Sequence, residues 1–313
     1  MLDLKEVFVL PFLVLLIALA AHDPSLVVHE DSRTALAVSA VVIVVWCAAA
    51  LWCPGWHDTT SRRVRCGRDL AGVALCLLLY PSLRWAVPAV HPARYDAVLA
   101  RADRWLFGGR DPLLLIEHLV HPELTAMLGL AYFCAWVPPV ALGLLLYVRH
   151  RDGELSDLLL GLVLVHCVGF LGYFLVPAVG PWYGLADQFR VSLSDNWLVA
   201  HYLAHNNNVD AFPSLHIAAT ALVGVFTWRD CRPLFWLTLP LLLAIGVATM
   251  YLRWHYVVDV LAGLLLAAAV RLLVPRLNAA WPRLRARARY ERAGGTGNRC
   301  GADAVSPSPQ NSR

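Results

Sequence analysis

Two short segments of this chain carry residue types able to attack an electrophile and to move a proton. Phe212-Pro213-Ser214-Leu215-His216 opens one apolar run, and Arg253-Trp254-His255-Tyr256-Val257-Val258-Asp259 opens another. His255 and Asp259 are four residues apart, a spacing that places both on one face of a helix. A carboxylate so placed accepts one ring N–H of the imidazole, fixes its tautomer and leaves the other nitrogen free as a nucleophile. Ser214 and the unpaired N–H groups at the start of the following helix are donors for an anion such as phosphate. His216 is placed to give a proton to a leaving oxygen. Asp259 falls within an apolar run, where an acid costs about 2.5–3.5 kcal/mol at a membrane centre and so implies a function.

The elements that must position these residues are long and apolar. Of the 313 residues, 59% are hydrophobic and 15% charged, and the mean hydropathy is +0.58. A soluble domain carries about a quarter charged residues. Eight runs are read as spans, the sixth of them short: 6–22, 34–53, 70–90, 124–148, 157–179, 213–228, 233–251 and 255–274. Backbone groups within lipid must be paired inside their own segment, so the fold class is all-α, a polytopic membrane bundle with a six-helix catalytic core. The organisation is two N-terminal spans with a loop (1–69), the core (70–274) and an Arg-rich tail (275–313). Within the core, 91–122 alternates apolar and charged residues and reads as an interfacial segment. The stretch 293–313 is rich in Gly, Ser, Pro and Asn and reads as disordered.

Charge placement orients the bundle. Arginines crowd into 54–69, 149–152, 229–232 and the tail, which the positive-inside rule makes cytoplasmic. Both termini of the eight-span chain are then cytoplasmic, and both motif segments open on the extracytoplasmic side of the cell membrane. The loop 91–122 fits less well, because it lies outside yet holds Arg94, Arg101, Arg104 and Arg110. Arginines set between spans serve orientation, so the basic balance does not imply nucleic acid. The first run is read as a retained span, since Lys5 is flanked by Asp3 and Glu6 and no strongly basic leader precedes it. None of the eight cysteines falls in an outer loop, and none has zinc-ligand spacing, so neither a disulfide nor a metal centre is expected.

Pro213-Ser214-Leu215-His216 and His255-Tyr256-Val257-Val258-Asp259 resemble the second and third motifs of the type 2 phosphatidic acid phosphatase superfamily. They are most similar to its inositol phosphorylceramide synthase (aureobasidin-resistance) branch. The segments Tyr173 to Tyr183 and Asp103 to Gly108, with Pro112, fit that branch too. The resemblance implies that His255 forms a phosphohistidine oriented by Asp259, that His216 protonates the leaving oxygen and then activates the acceptor, and that no metal or other cofactor takes part. The substrate implied is a lipid phosphate or phospholipid in the membrane, with water or an alcohol such as inositol as acceptor.

The chain also departs from the superfamily. The lysine and arginine of its first motif are absent, and Thr249 stands where the third motif has an arginine. Arg253 and Arg84 are the candidates to compensate the phosphate charge, with snorkelling to the interface the alternative for Arg84. Tyr173 and Tyr183, with Trp182, either line a headgroup pocket or form an aromatic belt. His166, in mid-span, reads as helix packing, and His201 and His205 read as solvated loop residues. Two other classes remain as alternatives. A transporter needs polar groups near the midplane rather than at one edge, and a metal-dependent membrane oxidase needs denser histidine clusters than this chain has.

Overall fold

The computed structural model describes residues 4–27, 61–193 and 196–294, with scattered positions between 34 and 45. The expected span 34–53 therefore lies almost wholly outside the described residues. The described chain is helical, and its one extended pairing is an isolated bridge between Ala178 and Asp210. Six of its helical stretches are long and apolar enough to cross a membrane. The sixth expected span is the exception: it forms a helix of only 16 residues, Leu215–Asp230. At 1.5 Å per residue that helix is about 24 Å long, less than a hydrocarbon core of about 30 Å.

The bundle is built around one pillar. The helices are α1 (Leu4–His22), α2 (Arg62–Leu79), α3 (Leu83–Val90), α4 (Asp96–Leu106), α5 (Pro122–Phe133), α6 (Val137–Val148), α7 (Asp152–Leu175), α8 (Trp197–His205), α9 (Leu215–Asp230), α10 (Arg232–Tyr251) and α11 (Val257–Gly294). Helix α7 is apolar all round, as a helix enclosed by others must be, and 72% of its most apolar window is buried. It packs against α1, α2, α6, α9 and α11, while α9 is enclosed by α6, α7, α10 and α11.

Prolines shape the ends that matter. Pro81 has no N–H to continue the α-helical ladder, so α2 gives way to a 3₁₀ turn at Tyr80–Ser82 before α3 resumes, although Tyr80 itself keeps helical angles. Pro138 and Pro139 follow a similar 3₁₀ turn at Cys134–Trp136, which divides the expected span 124–148 into α5 and α6. Helix α7 ends at Leu175, short of the expected 179, because Val176 precedes Pro177. The last helix differs in the other direction. It runs beyond 274 to Gly294, so the Arg-rich segment begins as helix, and the expectation of disorder beyond 294 lies outside the described residues. The five cysteines described in detail (66, 76, 134, 167 and 231) are free.

Candidate active site

The two motif segments meet, and hydrogen bonds join them. His255 precedes α11 rather than lying on it, so its relation to Asp259 arises from the turn between α10 and α11. Arg253 takes a left-handed conformation there, with φ 64°. The Thr249 carbonyl accepts from both Trp254 N and His255 N, at 3.1 Å each. The position that holds arginine in the resembled motif thus anchors the turn through its backbone. His255 Nδ1 lies 2.8 Å from the carbonyl oxygen of Ala211. A carbonyl only accepts, so Nδ1 carries the proton and Nε2 carries the lone pair. Asp259 Oδ2 is farther from Nδ1, at 3.6 Å, and accepts instead from Tyr256 N at 2.8 Å. The expected orienting bond therefore comes from Ala211, with the Asp259 carboxylate adding its charge alongside. The Ser214 amide donates in turn to the Asp259 carbonyl at 3.1 Å.

Close approach is built into both segments. A Cβ on Gly263 would lie 2.5 Å from the Ser214 carbonyl oxygen, so α11 can meet the start of α9 only with glycine there. Gly180 has φ 99°, and a Cβ there would lie 2.5 Å from the Trp254 carbonyl oxygen. The loop carrying Gly180 is held by Asp96, whose carboxylate accepts from Val179 N at 3.1 Å and Gly180 N at 2.9 Å. Asp103 accepts from Val257 N at 2.8 Å and Val258 N at 2.9 Å, capping the start of α11. Burial pushes the Asp103 carboxyl up, and these two amides oppose it.

His216 and His255 line one cavity of about 310 Å³. His216 Nδ1 is 3.0 Å from the Tyr132 hydroxyl, and the two rings stack with centroids 4.1 Å apart. Tyr132 and Tyr202 form an aromatic wall backed by Trp254, on which Tyr202 stacks at 3.8 Å. Tyr173 lines the cavity, and so does His166, whose Nδ1 donates to the Leu162 carbonyl at 2.7 Å. His201 is no loop residue: it lies on α8 and reaches the cavity wall. The His205 side chain lies outside the described residues.

Three expected phosphate-binding residues stand elsewhere. Arg253 is buried against Glu117, at 3.2 Å, and lies over the Phe189 ring at 3.8 Å. It lines a separate cleft with Trp182, Phe189 and Arg190, and desolvation lowers its affinity for a proton. Arg84 is exposed and lines none of the described cavities, as a snorkelling residue would. Tyr183 is 46% exposed and outside the cavity. Ser214 sits at the N-cap of α9, fully buried, with its hydroxyl unpartnered. No lysine or arginine lines the cavity. Among the described residues no group of three His, Cys, Asp or Glu side chains converges to hold a metal ion.

Sequence reasoning missed the polar residues of the cavity floor. Asp210 is 7% exposed, lines the cavity and accepts a hydrogen bond from the Tyr80 hydroxyl. Burial pushes its carboxyl up. Asn206, also buried, lines the same wall. The available signal was the run Asn206-Asn207-Asn208-Val209-Asp210, a dense polar stretch just before Phe212.

Two histidines thus share one cavity, with their segments joined through the Ser214 and Asp259 backbones. The profile of the PAP2 superfamily matches residues 97–273, more than half of the chain. The chain belongs to the PAP2 superfamily. It is also 30% identical over 196 residues to a protein of Bacteroides thetaiotaomicron named phosphoinositol dihydroceramide synthase, the match covering 54% of this chain and 63% of that relative. No solved structure gives a significant match. Within this PAP2 chain, the matched stretch takes in α4 and runs into α11, so it holds both histidine motifs and Asp103.

Proposed function

We propose that this PAP2 protein is a membrane phosphotransferase that moves a phosphorylated headgroup from a donor phospholipid to the hydroxyl of an acceptor lipid. The observation that carries this reading is the His255 ring, fixed by Ala211 so that Nε2 holds its lone pair, on the same cavity as His216. Nε2 attacks phosphorus, an N–P bond forms, and the bond to the lipid oxygen breaks. His216 gives its proton to that oxygen. The second half reverses the roles: His216 takes the proton of the acceptor hydroxyl, whose oxygen attacks phosphorus and releases His255. The Asp259 carboxylate, 3.6 Å from Nδ1, stabilises the cationic imidazole along the way.

The phosphate is held without arginine or lysine. The free N–H groups at the start of α9 favour an anion. The Ser214 hydroxyl at that N-cap is buried without a partner, which costs about 1–3 kcal/mol that a phosphate oxygen would offset. The relative's name supports a phosphoinositol headgroup and a dihydroceramide acceptor as the first pair to try. Hydrolysis, with water in place of the acceptor, uses the same residues and is the second reading, favoured by the superfamily's phosphatase members. Transporter and oxidase readings are not favoured.

The site is proposed to face the extracytoplasmic side of the cytoplasmic membrane, with both termini inside. What supports this is the gathering of the loop arginines at the opposite end of the bundle, where Arg62 pairs with Asp152 and Arg151 with Asp230. Purified protein given a labelled inositol phospholipid and a ceramide is expected to form labelled phosphoinositol-ceramide, and His255→Gln to form none. Release of the headgroup phosphate to water alone, with the acceptor left untouched, would establish a phosphatase instead. Normal transfer by His255→Gln would remove the mechanism.

A further inference from the structure

The mechanism leaves one buried acid of the cavity unused. Asp210 is held in place twice: its backbone bridges to Ala178, with the next amide donating to the Ala178 carbonyl at 3.1 Å, and the Tyr80 hydroxyl donates to Oδ2. Tyr80 is itself fixed, since Asn207 Nδ2 donates to its carbonyl at 3.0 Å. A carboxylate is a poor neighbour for phosphate. Two like charges 4 Å apart repel by roughly 1 kcal/mol in water and about 4 kcal/mol near a protein surface, and no lysine or arginine lines this cavity to cancel that. The part of the substrate that lies against Asp210 must therefore bring donors rather than charge.

We propose that Asp210, with Tyr80 and Asn206 beside it, binds the hydroxyl groups of a polyol headgroup and so selects the phospholipid donor. This rests on the phosphotransferase reading above. One carboxyl oxygen of Asp210 already accepts from the Tyr80 hydroxyl, and hydroxyl groups, which both donate and accept, can pair with the carboxyl whether or not burial keeps its proton on. Asn206 supplies N–H donors, with its Oδ1 already accepting from Asn208 N at 3.2 Å, and the Tyr80 oxygen, its proton given to Asp210, still accepts, which is the mixture that hydroxyl groups need. A cationic headgroup would also suit a carboxylate, but it would share about 310 Å³ with two imidazoles that carry the proton in turn. That volume is at the low end for a ligand site, enough for a headgroup without its acyl chains.

The test compares free ligands with turnover in detergent-solubilised full-length protein. Thermal unfolding is followed with myo-inositol, inorganic phosphate or ethanolamine added. Wild type is expected to be stabilised by myo-inositol and by phosphate. Asp210→Asn is expected to bind myo-inositol at least about tenfold more weakly and to keep its response to phosphate. In transfer, its KM for the inositol phospholipid rises by a similar factor while kcat changes less than about threefold. Tyr80→Phe keeps the carboxylate and is expected to show the same pattern, weaker; it serves if Asp210→Asn does not fold. Loss of both responses together would mean a structural role and overturn the assignment. So would an unchanged inositol response, no inositol response in wild type, or an ethanolamine response lost in Asp210→Asn. Inositol binding that depends on Asp210, in a protein that transfers nothing, would sink the phosphotransferase reading and leave the polyol site standing.

Discussion

The proton on His255 is set by two oxygens at different distances. The Ala211 carbonyl at 2.8 Å fixes the tautomer, and Asp259 at 3.6 Å contributes charge without the short bond. These roles separate in one variant. Asp259→Asn keeps an acceptor for Tyr256 N, so the turn should hold and the protein should melt near the wild-type temperature, while turnover falls by about 10²-fold or more. A fall in melting temperature matching the loss of activity would assign Asp259 to the fold instead. Asp259 stood out in the sequence because an acid inside an apolar run is costly, whereas His255 and His216 stood out only through the spacing to Asp259 and the motif resemblance. Asp210 did not, because it sits in a polar loop where an acid costs nothing until tertiary structure buries it. Arg253 misled for the converse reason: its partner, Glu117, is 136 residues away and no local pattern announces it.

Helix α4 lies outside the spans, yet it sets the start of α11. Asp103, fully buried, receives two of the orphan amides there, and the same helix brings Asp96 to the loop at Gly180. The interfacial segment thereby acquires a physical role, because it holds the turn carrying His255 from above. Asp103→Ala is expected to cost about 1–2 kcal/mol as a lost helix cap and to lower kcat more than KM. Asp103→Asn, which keeps a side-chain acceptor, should recover most of both. Melting curves and steady-state kinetics on the purified variants decide it, and an Asp103→Ala enzyme with wild-type kcat would free α4 of this role. Sequence pattern located the spans to within a few residues where proline enforced an end, as at Pro177. It also showed the sixth run to be short, but not why a short helix suffices: burial of α9 by four neighbours replaces the length a lipid-exposed helix needs.

At the scale of the molecule, charge divides the bundle. One end carries Arg62 and Arg151 with their partners Asp152 and Asp230, and α7 runs from that end, at Asp152, to the catalytic cavity, which its His166 and Tyr173 line. Two of the four arginines of 91–122 that the charge rule left unexplained are engaged within the protein, since Arg94 donates to the Asn208 carbonyl at 2.5 Å and Arg104 pairs with Asp111 at 3.8 Å. Arginines engaged in this way over the site weigh less against the orientation than their number suggests. The orientation itself is testable with two exposed positions. Ser192 lies in the connection on the catalytic side, and Ser61 immediately precedes α2 at the arginine-rich end. In a background with the eight native cysteines replaced, Ser192→Cys is expected to react with a membrane-impermeant maleimide on intact cells, and Ser61→Cys only after lysis. Reversed labelling would place the cavity on the cytoplasmic side. The donor headgroup would then be drawn from the inner leaflet, while the chemistry of His255 and His216 would stand unchanged, because it depends on the cavity and not on the side it faces.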